Sequence, residues 1–198
     1  RPITMVTENL IQRAFEQFCE ESNVKPGKEA FIFAEMMPAQ KGQEGEDDVK
    51  DFLERADMIN LMGHDVIISN CQEHEKLVDY LAEFKFAKLG IAMGAKKVQK
   101  LIREKFDSYA ETSWLLGFGK LFRNKVTLYV YPALPSANSK LLTAQNIDVP
   151  VEIKFLYQHL LDNGRIVDIK KYTKSILHIF TKSTLKKIRK NEGDWEGL

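Results

Sequence analysis

The stretch Gly63-His64-Asp65-Val66-Ile67-Ile68-Ser69-Asn70 constrains the fold more than any other part of this chain. Its run from Val66 to Ser69 is short, mostly apolar and preceded by a glycine-bearing turn. A helical pattern lies before it and another after it. A strand of that length between two helices suits a parallel sheet buried on its faces, with Ser69 and Asn70 at the C-terminal mouth.

The rest of the chain repeats this alternation. Thr7 caps a helix from Glu8, with Leu10, Ile11, Ala14, Phe15 and Phe18 at helical spacing. Pro26-Gly27 turns the chain into a strand over 30–34 that ends at Glu35-Met36-Met37-Pro38. A polar loop over 39–48 leads to a helix that buries Val49, Phe52, Leu53, Ala56, Ile59 and Met62 and stops at Gly63. Helices are expected over 73–84, 95–106, 112–122 and 149–161. Strands are expected over 88–94, 126–131 and 166–169, and Val126 to Tyr131 is the strongest by propensity. Such an order predicts an α/β fold: a three-layer sandwich with a mainly parallel, Rossmann-like sheet and right-handed crossovers.

With 198 residues and 44% hydrophobic content, the chain can bury one substantial core, so residues 1–198 are read as a single α/β domain. It starts at Arg1 and stops soon after Trp195, and the expectation is a fragment of a longer protein. A basic helical segment over 173–190 closes it. The 29 basic and 28 acidic residues give a net charge of +1, which offers no global attraction for nucleic acid or an acidic membrane. Acids cluster between Glu35 and Asp57, and bases between Arg165 and Lys190. Cys19 and Cys71 are too few and too far apart for a disulfide scaffold. They read as buried free thiols, which points to the cytoplasm. No apolar run is long enough to span a bilayer.

In open parallel sheets, ligands bind beyond the C-terminal strand ends. Three such ends are visible: Glu35 to Met37, Ser69 to Cys71, and Met93-Gly94. Ser69 and Asn70 offer short polar groups beside a helix N-terminus, and Gly94 leaves backbone open beside another, an arrangement that favours an anion. The same residues serve equally well as caps and turns. Glu35 is an acid at a strand exit, suited to a ribose hydroxyl, a metal or a proton. His74 stands near the upper end of the organising strand. His64 stands at its lower end, about 14 Å away, too far for the two to share a metal. Tyr129 and Tyr131 face one side of their strand, half-exposed or capped by the helix carrying Trp114; Tyr131 ends near the expected crevice, where a tyrosine suits stacking on a base or sugar, but core packing is the stronger expectation. No standard catalytic or metal motif occurs, and the glycines of Gly90-Ile91-Ala92-Met93-Gly94 lack the third position of a dinucleotide fingerprint.

Several phrases are distinctive: Phe52-Leu53-Glu54-Arg55-Ala56-Asp57, the stretch Gly63 to Asn70, Phe118-Gly119-Lys120-Leu121-Phe122-Arg123-Asn124, Leu128-Tyr129-Val130-Tyr131-Pro132 and Gly193-Asp194-Trp195-Glu196. Together they resemble the C-terminal half of a bacterial family of cytoplasmic proteins of roughly 500 residues. That family has no agreed biochemical function, so the resemblance implies a fragment and carries over no catalytic residue.

Two functions follow as expectations. The first is a domain that binds a small anionic or phosphorylated ligand, a phosphate or carboxylate, within a larger enzyme, through Glu35, Ser69, Asn70, Gly94, His74 and Tyr131. No cofactor is specified, no metal is expected, and the other partner would be the remainder of the polypeptide or a second copy. The alternative is a non-catalytic interaction or assembly domain, using Phe118, Phe122 and Tyr129 as an apolar patch or the basic run Lys182, Lys186, Lys187, Arg189 and Lys190.

Overall fold

Helices and short parallel strands alternate along the chain, as its apolar periodicity requires. The computed structural model describes residues 4–38, 46–71, 73–108, 113–123, 125–136 and 139–180. The elements are α1 (Met5–Ser22), β1 (Phe33–Met36), α2 (Glu46–Leu61), β2 (Asp65–Ile68), α3 (His74–Ala82), β3 (Leu89–Gly94), α4 (Ala95–Ser108), α5 (Ser113–Leu121), β4 (Val126–Tyr131), α6 (Lys154–Asp162) and β5 (Ile166–Asp168). Short 3-10 turns occupy Ala144–Asn146, Val151–Ile153 and Lys174–Phe180. The result is an α/β fold with parallel sheets and flanking helices. Among the described residues no helix is long and apolar enough to cross a membrane.

Among the described residues two parallel sheets form, one of β1 and β2, the other in the order β3-β4-β5. In the larger sheet, strict alternation sorts the side chains. Leu89, Ile91 and Met93 lie beside Val126, Leu128 and Val130, with Ile166 beyond. They pack into a core with Val78, Val98, Leu101, Ile102, Phe118, Leu121 and Leu160 from α3 to α6. Val78, Val98, Val126 and Val130 expose nothing, and each such burial contributes about 1.5–3 kcal/mol. The opposite face carries Ala92, Tyr129, Tyr131 and Val167, covered by α1 and the segment Lys174–Phe180.

Small residues on that second face let α1 approach. A side chain at Gly90 would put its Cβ 2.9 Å from Phe18 and 3.1 Å from Tyr129. The rings of Phe18 and Tyr129 meet edge to face at 6.2 Å. The cover over Tyr129 and Tyr131 is therefore α1, not the helix carrying Trp114.

Several boundaries differ from expectation for local reasons. Thr4, not Thr7, stands at the start of α1, where its carbonyl accepts the amides of Thr7 (2.8 Å) and Glu8 (3.1 Å). Ala30 lies in a turn: its amide donates to Lys25 and its carbonyl accepts from Gly27, whose φ is +70°. Strand pairing consequently begins at Phe33, and Glu35 lies inside β1, not beyond it. The helix expected over 149–161 opens as a 3-10 turn after Pro150. Cys19 is buried and Cys71 half-buried, both free. Burial pushes the Cys19 thiol up from its ordinary value.

Candidate functional site

The register of β1 on β2 places Glu35 opposite Ile67, so Ser69, two residues on, falls on the same face as Glu35. The Ser69 amide extends the ladder by donating to the Met36 carbonyl at 3.0 Å. The Ser69 hydroxyl then reaches across the pair and donates to Oε1 of Glu35 at 2.6 Å. A hydrogen bond to an ionised carboxylate is among the stronger neutral–charged contacts. The same hydroxyl oxygen lies 3.5 Å from the Cys71 amide. The two residues thus meet at the mouth of the small sheet, both in contact with solvent. Asn70 is exposed beside them, and His74 is half-buried in the first turn of α3.

Gly94 and Tyr131 stand elsewhere. They are strand partners on β3 and β4, at the C-terminal edge of the larger sheet. Among the described residues the two sheets share no strand pairing. Gly94 runs directly into α4, and a Cβ built on it meets nothing within 4 Å. Tyr131 is corrected from a ligand-facing residue to a packing residue. It is 1% exposed beneath α1, and its hydroxyl donates to Oδ1 of Asn9 at 2.7 Å. Burial raises its pKa to about 12, with Tyr172 adding and Arg13 subtracting.

One feature of the larger sheet escaped the sequence. Asp168 ends β5 opposite Val130, on the core face, and Oδ1 accepts the Ala144 amide at 2.6 Å. The Tyr157 hydroxyl donates to the Ala144 carbonyl at 2.7 Å. The Ala144–Asn146 turn, held by the capping pair Thr143 and Asn146, is thereby pinned over the end of β5. Burial raises the Asp168 carboxyl above its ordinary value, and the Ala144 hydrogen bond opposes the shift. The signal was a lone acid in an apolar run, ambiguous between site and structure.

Among the described residues, cavities border two places on the helices and segments that flank the larger sheet. One of about 60 Å³ lies between α1 and Lys170-Lys171, where the cations face Glu21 at 3.5 Å and Glu20 at 2.6 Å. Another of about 220 Å³ is lined by Phe106, Val149 and Pro150 beside the Arg103–Asp148 ion pair. Neither includes Glu35, Ser69 or Gly94. Among the described residues no group of three or more histidines, cysteines or acids is placed to hold a metal ion.

The remaining feature is apolar exposure. Of sixteen large hydrophobic side chains exposed among the described residues, nine lie between Phe31 and Ile68, including Phe33 at 50%, Ile68 at 59% and Leu61 at 87%. Among the described residues of that span only Phe52, Ala56 and Ile59 are buried, on the side of α2 that packs on β2. The sequence had placed an apolar patch at Phe118, Phe122 and Tyr129. Phe118 and Tyr129 are buried and Phe122 packs against the core, so the patch is not there. Residues 181–190 of the basic run lie outside the described residues.

No protein-family profile matches the chain, and no curated protein or solved structure matches it.

Proposed function

We propose that this chain is a non-catalytic interaction or assembly domain whose β1–α2–β2 unit is its contact surface. The observation that carries this reading is the concentration of exposed apolar side chains on that unit. Parallel strands are ordinarily covered on both faces, and a two-stranded sheet alone is marginal in water. Here both strands keep a free edge among the described residues, and no residue of either is fully buried. Surfaces of this kind gain by being covered. A cytoplasmic location and kinship with the bacterial family of unassigned function belong to the same proposal. So does a three-layer, Rossmann-like architecture, which the two packed faces of β3-β4-β5 support.

The test is substitution of exposed residues. Phe33→Ser with Leu53→Ser should leave stability within about 0.5 kcal/mol, because neither side chain is buried. The parent chain should bind an apolar fluorescent dye and associate with rising concentration. The double variant should lose both properties. Equal dye binding by parent and variant would reject the reading.

A second reading, a small anionic or phosphorylated ligand, is favoured by one observation: the Glu35–Ser69 hydrogen bond at an open strand mouth. Glu35 would engage ligand hydroxyls, and Ser69, Asn70 and His74 the anionic group, while Gly94, on the other sheet, would take no part. A thermal-shift screen of nucleotides, sugar phosphates and carboxylates addresses it. Stabilisation that Ser69→Ala abolishes would favour this reading over the first.

A further inference from the structure

Resting on the interaction reading, we infer that the β1–α2–β2 unit takes a cationic amphipathic polypeptide segment as its partner. Residues 33–68 contain nine acids and three bases, a net of −6, within a chain of net +1. Every other residue together therefore carries +7. Within α2 the surplus is six acids against two bases.

The acids are interleaved with the exposed apolar side chains. On α2, Val49 and Leu53 flank the buried stripe of Phe52, Ala56 and Ile59, with Asp57 one turn beyond Leu53 on the same side. On the sheet face, exposed Phe33 and half-buried Ile67 alternate with Glu35 and Asp65. Lys50 and Arg55 are committed within the helix, to Glu54 at 3.9 Å and Asp51 at 3.1 Å. Among the described residues Asp57 and Asp65 have no ion-pair partner. A covering segment must therefore bring apolar side chains to the patch and positive charge to its rim. An anionic lipid surface or a nucleic acid would meet like charge.

The experiment uses the full chain and two labelled amphipathic peptides, one of lysine and leucine, one of glutamate and leucine. The lysine–leucine peptide should bind saturably and weaken as salt rises, and the glutamate–leucine peptide should not bind. Reversing three charges, Glu54→Lys, Asp57→Lys and Asp65→Lys, should weaken the first peptide about tenfold and confer binding on the second. Equal binding of both peptides, or indifference to the reversal, overturns the inference. If Phe33→Ser with Leu53→Ser removes dye binding while neither peptide binds, the surface stands and its cationic partner falls. If dye binding survives that substitution, the surface itself is rejected and the inference with it.

Discussion

The hydroxyl of Tyr131 donates to Oδ1 of Asn9 at 2.7 Å, joining the end of β4 to the start of α1 across 122 residues of sequence. The same oxygen accepts the Thr173 amide at 3.1 Å, and Nδ2 donates to the Thr173 hydroxyl at 3.1 Å. One buried amide side chain thus ties together α1, the larger sheet and the segment after β5. Removing a buried partner leaves the groups it served unsatisfied, which costs more than the bond itself contributes. Asn9→Ala should destabilise by about 2–4 kcal/mol. Tyr131→Phe should cost about 1 kcal/mol, since Asn9 keeps Thr173. Chemical denaturation of both and of the double variant checks this, with a double-variant cost below the sum as the sign of a shared network.

Gln17 repeats the device two turns along the helix. Its Nε2 donates to the Asp168 carbonyl at 3.1 Å and its Oε1 accepts the Lys170 amide at 2.9 Å. The side-chain amide therefore acts as a neighbouring strand would, pairing backbone just past β5. Gln17→Leu keeps the helix and the volume but orphans both backbone groups. The expected cost is about 2–3 kcal/mol. Hydrogen exchange should show the Lys170 amide losing protection more than amides of β4 do. Uniform loss across the sheet would contradict a local clamp.

These two residues also explain how far the sequence could be read. The order of helices and strands was legible because apolar periods of 3.6 and 2 are local. The face that α1 buries was not, because Asn9 and Gln17 are polar and their partners lie more than 120 residues away. The stripe read as Leu10, Ile11, Ala14, Phe15 and Phe18 in fact includes Val6, Asn9 and Gln17 among its most buried members. At the candidate site, Ser69 was legible as a strand-end residue, Glu35 was expected beyond its strand and lies inside β1, and pairing of β1 with β2 brings the two together. Packing of Tyr131 was the stronger expectation, but the element that covers it was hidden for the reason that hid Asn9: that helix is distant in sequence. The exposed apolar surface between Phe31 and Ile68 was invisible too, since an apolar run looks the same whether or not anything covers it.

Gly90 reports on the fit of α1 against β3. A Cβ there would stand 2.9 Å from the Phe18 ring, closer than packing tolerates, and 3.1 Å from the Tyr129 ring, which would have to give by a few tenths of an ångström. Gly90→Ala should cost about 1–3 kcal/mol despite alanine's smaller loss of backbone entropy. Shortening the opposing ring with Phe18→Leu should make the alanine less costly than in the parent background. Thermal denaturation of the four proteins gives the comparison. An alanine equally costly in both backgrounds would place its cost outside the α1 contact.

Asp168 gives the fold a pH dependence of defined sign. Its carboxyl titrates above the ordinary value because burial disfavours the charge, only partly offset by the Ala144 amide at 2.6 Å. The folded state therefore holds this proton more tightly than the unfolded chain does. Its contribution to stability is fullest below the unfolded carboxyl pKa and declines as pH rises through the folded one. At neutral pH the buried charge is a net cost. Asp168→Asn removes the charge and retains an oxygen to accept the Ala144 amide. The variant should melt about 2 °C or more above the parent at pH 7, with the gap narrowing as pH falls through the carboxylate range. Tyr157, the other titrating group beside Asp168, has its hydroxyl pKa raised by burial and then by Asp168, and stays neutral throughout that range. A variant less stable than the parent at neutral pH would mean that the ionised carboxylate strengthens the Ala144 bond by more than its burial costs.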